Sequence, residues 1–316
     1  MHIVAVLALD KVVPFDLATP IETFARTRLG SGEPAYEVRI CGTGGELDAG
    51  TFRLCPPWGL EGLAGAGTII LPGRAENPPP VPRDVLAAVR AAAARGARIA
   101  SICSGAFVLA ETGLLDGLRA TTHWAAAAEL ARRHPSIVVD PDVLYVDNGQ
   151  FLTSAGAAAG LDLCLHLIRR DHGSAVAADA ARLSVMPLER EGGQAQFIVH
   201  DPPPTPRGSE LEPVLAWLEE NCALELTLAG IAARVGMSTR TLNRRFREQT
   251  GTTPLQWLLR ARVRRAQHLL EATGDPVDRI AADVGFGSPT AFRERFKRGV
   301  GTSPQAYRAS FRAAAG

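Results

Sequence analysis

The C-terminal third of the chain contains an internal repeat, which restricts the fold more than any other feature of the sequence. The stretch IAARVGMSTRTLNRRFREQTGTTPLQWL (231–258) matches IAADVGFGSPTAFRERFKRGVGTSPQAYR (280–308). The offset is 49 residues up to a turn and 50 beyond it, because the second copy carries one extra turn residue. Such self-similarity indicates one supersecondary unit built twice. Each copy predicts a short helix, a turn at Gly236 or Gly285, and a second helix.

The second helix of each copy is predicted to bury one face and expose the other. Ser238 and Ser288 are placed to cap these helices. Apolar residues four positions apart predict the buried faces, and these are Leu242 and Phe246 in the first copy and Phe292 and Phe296 in the second. The outward candidates for contact with DNA are Ser238, Thr239, Arg240, Asn243, Arg244 and Arg247 in the first copy and Ser288, Thr290, Arg293, Glu294 and Lys297 in the second.

These outward residue types suit a DNA major groove. Arginine pairs with guanine edges and asparagine with adenine, while further arginines neutralise phosphates. Glu294 is expected to accept a hydrogen bond from cytosine or to orient a nearby arginine. The alternative is that an arginine-rich face is merely solvated. Residues 205–316 hold 17 Arg/Lys and 11 Asp/Glu, a net charge of +6, whereas residues 1–204 have a net charge of −5. The basic segment therefore favours a polyanionic partner, namely double-stranded DNA.

Residues 1–190 show a different pattern, in which strand-like and helix-like segments alternate. This alternation predicts βαβ units and a parallel sheet covered on both faces. The predicted strands are 2–9, 36–41, 67–73 and 97–103, and the predicted helices are 16–27, 82–96, 105–115, 123–134 and 158–173. The stretch 134–150 holds carboxylates without a repeated ligand spacing, so it is interpreted as a solvated hairpin and not as a metal site.

A proline-rich stretch separates the two patterns. Pro202, Pro203, Pro204 and Pro206 stiffen a spacer that has no core of its own. The predicted domains are an α/β domain at 1–190, a linker at 191–209 that includes a short strand-like piece, and an all-α domain at 210–316.

The all-α domain resembles the DNA-binding domain of the AraC/XylS family of bacterial transcription regulators. The resemblance is carried by GFGSPTAFRERFKRGVGTSPQAYR (285–308) and covers residues 210–312. It implies a seven-helix unit with two helix-turn-helix motifs, whose recognition helices enter successive major grooves. A linker helix at 254–273 then sets their separation.

The α/β domain resembles the PfpI/ThiJ-like group of the class I glutamine amidotransferase-like fold. The matching stretches are VPFDLATPIETF (13–24), ASICSGAFVLAETGLLDGLRATTHW (100–124) and FLTSAGAAAGLDLCLHLI (151–168). This resemblance implies a flavodoxin-like parallel-sheet sandwich that dimerises. The two domains in this order resemble the GlxA-type branch of AraC regulators, and GGQAQF (192–197) fits that branch as well.

The stretch ASICSGAF (100–107) places a cysteine between a strand and a helix. Cys103 would lie at the positive end of the helix dipole, which favours the thiolate. The backbone N–H groups of Ser104 and Gly105 could bind an anion. Asp16 matches the acidic residue that lies beside the thiol in isocyanide-hydratase-like relatives, although a role as a helix-entry cap is equally open.

The protease-like members of the group carry a histidine directly after the cysteine, and this chain has Ser104 there. His123 is the nearest alternative, and a core or capping role is expected for it. The favoured interpretation is a former enzyme pocket that binds a small effector, with no catalysis and no cofactor. The alternatives are an isocyanide-hydratase-like or amidase-like cysteine enzyme and a thiol redox sensor at Cys103.

The five cysteines form no CxxC pair and no zinc spacing, and no signal peptide or membrane-spanning run is evident. These features predict a reduced, cytoplasmic protein that does not enter a membrane. The family resemblance adds a homodimer, contact with RNA polymerase and activation of transcription as expectations.

Overall fold

The computed structural model describes residues 1–188, Gln194 and residues 211–311. The chain divides into two compact units, residues 1–194 and residues 195–316. The predicted linker at 191–209 and its strand-like piece lie outside the described residues, apart from Gln194.

The first unit is built on a six-stranded sheet. The strands of this sheet are β1 (His2–Leu7), β2 (Tyr36–Cys41), β5 (Thr68–Leu71), β6 (Arg98–Ile102), β9 (Tyr145–Asp147) and β10 (Phe151–Ser154). They lie in the order β2-β1-β5-β6-β10-β9 and are parallel, except for β9, which runs antiparallel to β10 at one edge. Two short pairs flank it, β3 (Leu47–Asp48) with β4 (Arg53–Leu54) and β7 (Arg119–Ala120) with β8 (Val138–Val139).

Helices cover both faces of this sheet. They are α1 (Pro14–Arg26), α2 (Arg83–Ala94), α3 (Gly105–Glu111), α4 (Trp124–Arg133) and α5 (Ala158–Leu183), together with a 3₁₀ turn at Leu60–Leu63. Alternate residues of the central strands enter two separate buried clusters. Ile69 and Ile99 join the cluster with α2, whereas Ile70 and Ala100 join the cluster on the opposite face. The predicted flavodoxin-like sheet covered on both faces is therefore confirmed.

Three sequence predictions in this unit need correction. The helix predicted at 105–115 ends at Glu111, because the chain turns at Gly113 with a φ of 77°. The helix predicted at 158–173 breaks at Gly173 and resumes to Leu183, where alanines of the last turns pack on the core.

The third correction concerns the hairpin predicted at 134–150. Val138–Val139 instead pairs with β7, and Tyr145–Asp147 pairs with β10, so the hairpin spans 145–154. Its β9 strand forms the edge of the sheet. The carboxylate of Asp147 is paired with His166 and Arg170 of α5.

Residues 211–311 form seven helices, as the resemblance implied. They are α6 (Glu212–Glu220), α7 (Leu228–Arg234), α8 (Thr239–Thr250), α9 (Pro254–Ala272), α10 (Val277–Asp283), α11 (Pro289–Val300) and α12 (Pro304–Phe311). The copies of the repeat are α7 with α8 and α10 with α11, and their turns contain Gly236 and Gly285 at positive φ. No helix among the described residues is long and apolar enough to cross a membrane.

The long helix α9 belongs to the buried cores of both copies. Trp257 packs into the cluster that contains Leu242 and Phe246 of α8. Leu270 packs into the cluster that contains Phe292 and Phe296 of α11. One continuous helix thus ties the two helix-turn-helix motifs together.

Candidate DNA-binding surface and cysteine site

Helix α8 buries one side and exposes a basic side. Leu242 and Phe246 are fully buried, as predicted. Arg240, Arg244 and Arg247 are exposed. With half-buried Asn243 they line one open groove of about 630 Å³, whose other lining residues are Leu228, Glu248, Thr253 and Leu255. The structure therefore brings together four of the side chains that the sequence proposes for DNA contact.

The start of α8 is fixed by its cap. The hydroxyl oxygen of Ser238 accepts a hydrogen bond of 3.1 Å from the backbone N–H of Thr241. Ser288 does the same for Ala291 at the start of α11, also at 3.1 Å. Both predicted caps are confirmed. Thr239, the first residue of α8, is exposed beside Ser238.

Helix α11 repeats this arrangement with different polar residues. Phe292 and Phe296 are fully buried, while Thr290, Glu294 and Lys297 are exposed. Two carboxylates that sequence reasoning missed bind the candidate arginines. Glu248 pairs with Arg244 at 2.9 Å, and Asp278 of α10 pairs with Arg293. Glu248 lies one helical turn after Arg244, so the spacing could have shown that pair. Asp278 is brought to Arg293 only by the fold.

The cysteine site lies at the carboxyl ends of the parallel strands, where ligands bind in folds of this class. Cys103 follows β6 and adopts a φ of 56°, a left-handed conformation that is rare outside glycine. Its backbone N–H donates to the carbonyl of Ser154 at 3.0 Å. Its own carbonyl accepts from the hydroxyl of Thr122 at 2.8 Å. The turn that presents the thiol is therefore held from two sides.

Glycines make this tight turn possible. A Cβ on Gly105 would lie 2.0 Å from the carbonyl oxygen of Leu71. A Cβ on Gly156 would lie 2.2 Å from the Cβ of Cys103. Backbone thus packs directly against the cysteine, and Gly105 serves the packing of the turn.

Asp16 is the buried acid of the site, with only 2% of its surface exposed. Its Oδ1 accepts a hydrogen bond of 2.9 Å from the backbone N–H of Ala157. Its Oδ2 accepts no well-aligned hydrogen bond among the described residues, although the Cys103 thiol and the backbone N–H of Gly73 lie close enough to favour its charged form. A Cβ on Gly73 would lie 2.3 Å from this oxygen and 3.0 Å from the Cβ of Cys103, so the missing side chain of Gly73 leaves room between acid and cysteine. Burial raises the pKa of Asp16, and the Ala157 N–H opposes this shift.

Of the two alternatives for Asp16, the role as a helix-entry cap is wrong. The N-cap of α1 is Val13, and Asp16 lies inside the first turn. The helix N-terminus, which favours the thiolate of Cys103, is opposed by two other effects. Burial, followed by the negative charge of Asp16, raises the pKa of Cys103 to about 12. These two effects outweigh the opposing effect of the backbone N–H of Ser104, because burial removes the solvation that a thiolate needs.

The polar neighbours of the cysteine are engaged elsewhere. The hydroxyl of Ser104 donates to the carbonyl of Arg74 and accepts from its N–H, each at 2.7 Å. The Nδ1 of His123 accepts from the N–H of Ala125 at 3.3 Å and so caps α4, the role expected for this histidine.

Gln194 is a buried neighbour that sequence reasoning did not single out. Its amide nitrogen donates to the hydroxyl of Thr121 at 3.1 Å and to the carbonyl of Thr122 at 2.9 Å. Its side-chain oxygen is buried without a hydrogen-bonding partner among the described residues. The stretch GGQAQF (192–197) was the available signal, because it matched the GlxA-type pattern. Gln194 lies in the residue range assigned to the linker. Its side chain is hydrogen-bonded to Thr122, whose hydroxyl donates to the carbonyl of Cys103.

A separate cavity of about 260 Å³ lies between β9 and α5. Its lining residues are Leu144, Tyr145, Asp162, Leu165, His166, Arg169 and Leu188. The described part of the chain contains no group of three or more His, Cys, Asp or Glu side chains that could hold a metal ion.

Comparison with known proteins agrees with this two-part architecture. Residues 3–170 match the DJ-1/PfpI family, and residues 231–310 match a family described as a helix-turn-helix domain. The chain is 31% identical over 256 residues to the HTH-type transcriptional regulator ArgR of Pseudomonas aeruginosa, covering 78% of this chain and 77% of that protein. It is 34% identical over 224 residues to the HTH-type transcriptional regulator GlxA of Rhizobium meliloti, covering 67% and 65%.

A solved structure is also similar to part of this chain in fold. An AraC family transcriptional regulator from Pseudomonas putida superimposes with a TM-score of 0.52 at 18% identity, over 58% of this chain and 100% of that one. With its DJ-1/PfpI domain followed by an AraC-type helix-turn-helix repeat, the chain belongs to the DJ-1/PfpI family and to the HTH-type transcriptional regulators that act by binding DNA.

Proposed function

We propose that α8 and α11 read DNA sequence through their exposed polar faces. The observation that carries this proposal is the groove that gathers Arg240, Asn243, Arg244 and Arg247 on the side of α8 opposite its buried face. A helix of this kind fits the major groove, where arginine and asparagine make bidentate contacts with guanine and adenine. Ser238 and Thr239 lie at the leading end of α8, within reach of phosphates.

The two faces differ in chemistry, so they are expected to read different bases. Position for position, Arg240, Asn243, Arg244 and Arg247 of the first copy become Thr290, Arg293, Glu294 and Lys297 in the second. Arg293 is assigned to guanine, Glu294 to cytosine and Lys297 to phosphate. Ser288 and Thr290 take the place of Ser238 and Arg240 at the leading end.

Arginine substitutions test this assignment. The probe is the tightest duplex that the full chain selects from a random-sequence pool, and a scrambled duplex serves for comparison. Arg244→Ala and Arg293→Ala are each expected to weaken selected binding by roughly 1–3 kcal/mol. The matched control is Arg132→Ala, which removes an exposed arginine from α4 of the first unit. Unchanged isotherms and salt slopes for both variants would count against the assignment.

We infer that the first unit binds a small effector at the cysteine site and is not an enzyme. The supporting observation is the 98%-buried Asp16, whose Oδ2 faces Gly73 and the Cys103 side chain and accepts no well-aligned hydrogen bond among the described residues. A ligand donor group would satisfy that oxygen, and unsatisfied buried polar groups are costly. No cofactor is invoked. The domains proposed for this arrangement remain 1–190, a linker at 191–209 and 210–316.

A thermal-shift screen of small polar metabolites on the full chain tests the effector site. Stabilisation that is lost in Asp16→Asn supports the proposal. Stabilisation that persists there and is lost in Leu165→Trp would assign the effector to the cavity between β9 and α5 instead. Turnover of isocyanides or small amides that depends on Cys103 would contradict the non-enzymatic role. Peroxide-dependent loss of DNA affinity that requires Cys103 would favour a redox sensor.

Three further parts of the proposal follow the family. The protein acts in the cytoplasm, forms a homodimer through the first unit, and activates transcription through contact with RNA polymerase. Sedimentation of the full chain tests the dimer. Transcription in vitro from a promoter that carries the selected duplex tests activation.

A further inference from the structure

We propose that Asp278 is a positioning residue, which orients Arg293 so that its guanidinium meets a base edge with little loss of side-chain freedom. This inference rests on the proposed DNA-reading role of α11. Asp278 lies in the first turn of α10, and its Oδ1 accepts a hydrogen bond from Nη2 of Arg293 in α11. The pair therefore bridges the two helices of the second motif.

The pairing is selective among the cations of α11. This helix carries Arg293, Arg295, Lys297 and Arg298, and among the described residues only Arg293 has a carboxylate partner. Phosphates accept a cation from many directions, whereas a base edge requires a guanidinium in one orientation. The side chain that is held is thus the one assigned to a base, and Lys297, assigned to phosphate, is free of such a partner.

The repeat supplies an independent comparison. With an offset of 49 residues before the turn, Asp278 corresponds to Ala229 of the first copy. With an offset of 50 beyond it, Arg293 corresponds to Asn243. The carboxylate thus occurs in the copy that has arginine at this position. Asparagine has a shorter side chain with fewer torsions, so it needs no such support.

The ion pair between Arg293 and Asp278 is not expected to stabilise the fold appreciably. The side chains of Arg293 and Asp278 are 49% and 59% exposed, and ion pairs this exposed contribute little to folding. A guanidinium has five N–H donors, so one hydrogen bond to Asp278 leaves donors for a base. Arg279, the single cation of α10, lies near Asp275 and Asp283 instead, at 3.6 and 3.7 Å. Asp278 is thus directed at the recognition helix.

The test uses the fact that loss of the Asp278 negative charge and loss of Arg293 positioning change DNA affinity in opposite directions. Removing a carboxylate near DNA should by itself strengthen binding to every duplex, because phosphates are negative. If Asp278 positions Arg293, Asp278→Asn instead weakens binding to the selected duplex by roughly three- to tenfold, the cost of ordering one freed side chain. Binding to the scrambled duplex is unchanged or stronger. Asp278→Glu is expected to restore part of the preference.

One variant background and one control variant complete the experiment. In Arg293→Ala, the further change Asp278→Asn should no longer weaken selected binding. The matched control is Asp283→Asn, which removes from the same helix a carboxylate that lies near Arg279. This control should leave the preference for the selected duplex unchanged. Circular dichroism confirms folding of each variant.

The outcomes separate the two claims. If Arg293→Ala leaves selected binding unchanged, both the reading role of α11 and the positioning role are wrong. If Arg293→Ala weakens selected binding but Asp278→Asn preserves or strengthens it, only the positioning role is overturned, because Asp278 then merely competes with DNA for the guanidinium.

Discussion

The hydroxyl of Thr122 donates a hydrogen bond of 2.8 Å to the carbonyl of Cys103. The carbonyl of Thr122 in turn accepts one from the amide nitrogen of Gln194 at 2.9 Å. The turn that presents the thiol is thus connected, through one threonine, to a residue more than seventy positions later in the chain.

Gln194→Ala is expected to loosen this connection. The substitution removes two buried hydrogen bonds and leaves the carbonyl of Thr122 without that donor, which costs about 1–3 kcal/mol. Hydrogen exchange of peptides covering residues 119–125, followed by mass spectrometry, should show faster exchange. Gln305→Ala, at an exposed position of α12, is the control. Identical exchange in both variants would contradict a structural role for Gln194.

Gly105→Ala is expected to destabilise the first unit. The added Cβ would lie 2.0 Å from the carbonyl oxygen of Leu71, which is backbone and cannot rotate away. Overpacking of this kind typically costs about 1–3 kcal/mol, and rigid backbone on the facing side favours the upper end. Gly30→Ala is the matched control, because a Cβ there meets nothing within 4 Å. Urea unfolding of the full chain measures both variants, and equal midpoints would argue against the close approach.

Alkylation rates should distinguish Cys103 from Cys55. Cys55 is exposed, whereas burial and Asp16 raise the pKa of Cys103 to about 12. Because the thiolate is the reactive form, Cys103 should react slowly with iodoacetamide at pH 8 and faster as the pH rises. Asp16→Asn removes the negative charge, lowers the pKa of Cys103 and accelerates its alkylation. Mass spectrometry after timed quenching gives both rates, and a fast plateau for Cys103 near pH 8 would exclude the raised pKa.

Two substitutions at Ser238 separate capping from DNA contact. Ser238→Ala removes the cap of α8 and is expected to cost about 1 kcal/mol of stability. Ser238→Asp preserves the cap, since aspartate caps helices as well as serine does. It also places a negative charge at the leading end of α8, so DNA binding should weaken while thermal stability is kept. Undiminished DNA affinity of Ser238→Asp would remove this end of α8 from the contact surface.

Local chemistry made the helical unit predictable from sequence. Glycine at 236 and 285 and serine at 238 and 288 mark the turns and caps, and the four-residue spacing of Phe292 and Phe296 marks the buried face. These signals act between residues close in the chain. The ion pair between Asp278 and Arg293 is set by the packing of α10 against α11, which no spacing rule reveals.

The cysteine site shows the same limit more sharply. The sequence predicts that Cys103 lies between a strand and the N-terminus of a helix, and the structure has it between β6 and α3. The sequence did not predict the raised pKa of its thiol, because burial and the approach of Asp16 depend on strands that meet only in the folded sheet. The helix N-terminus favours the thiolate, whereas burial and the charge of Asp16 oppose it more strongly.

Helix α9 has a further consequence for how this protein tolerates change in evolution. Because Trp257 and Leu270 anchor one rigid rod in two cores, each inserted residue would rotate one motif by about 100° and shift it by about 1.5 Å against the other. Point substitutions along the rod preserve this helical phase, whereas insertions and deletions destroy it. The length of α9 therefore fixes both the rotation and the axial offset of one helix-turn-helix motif relative to the other.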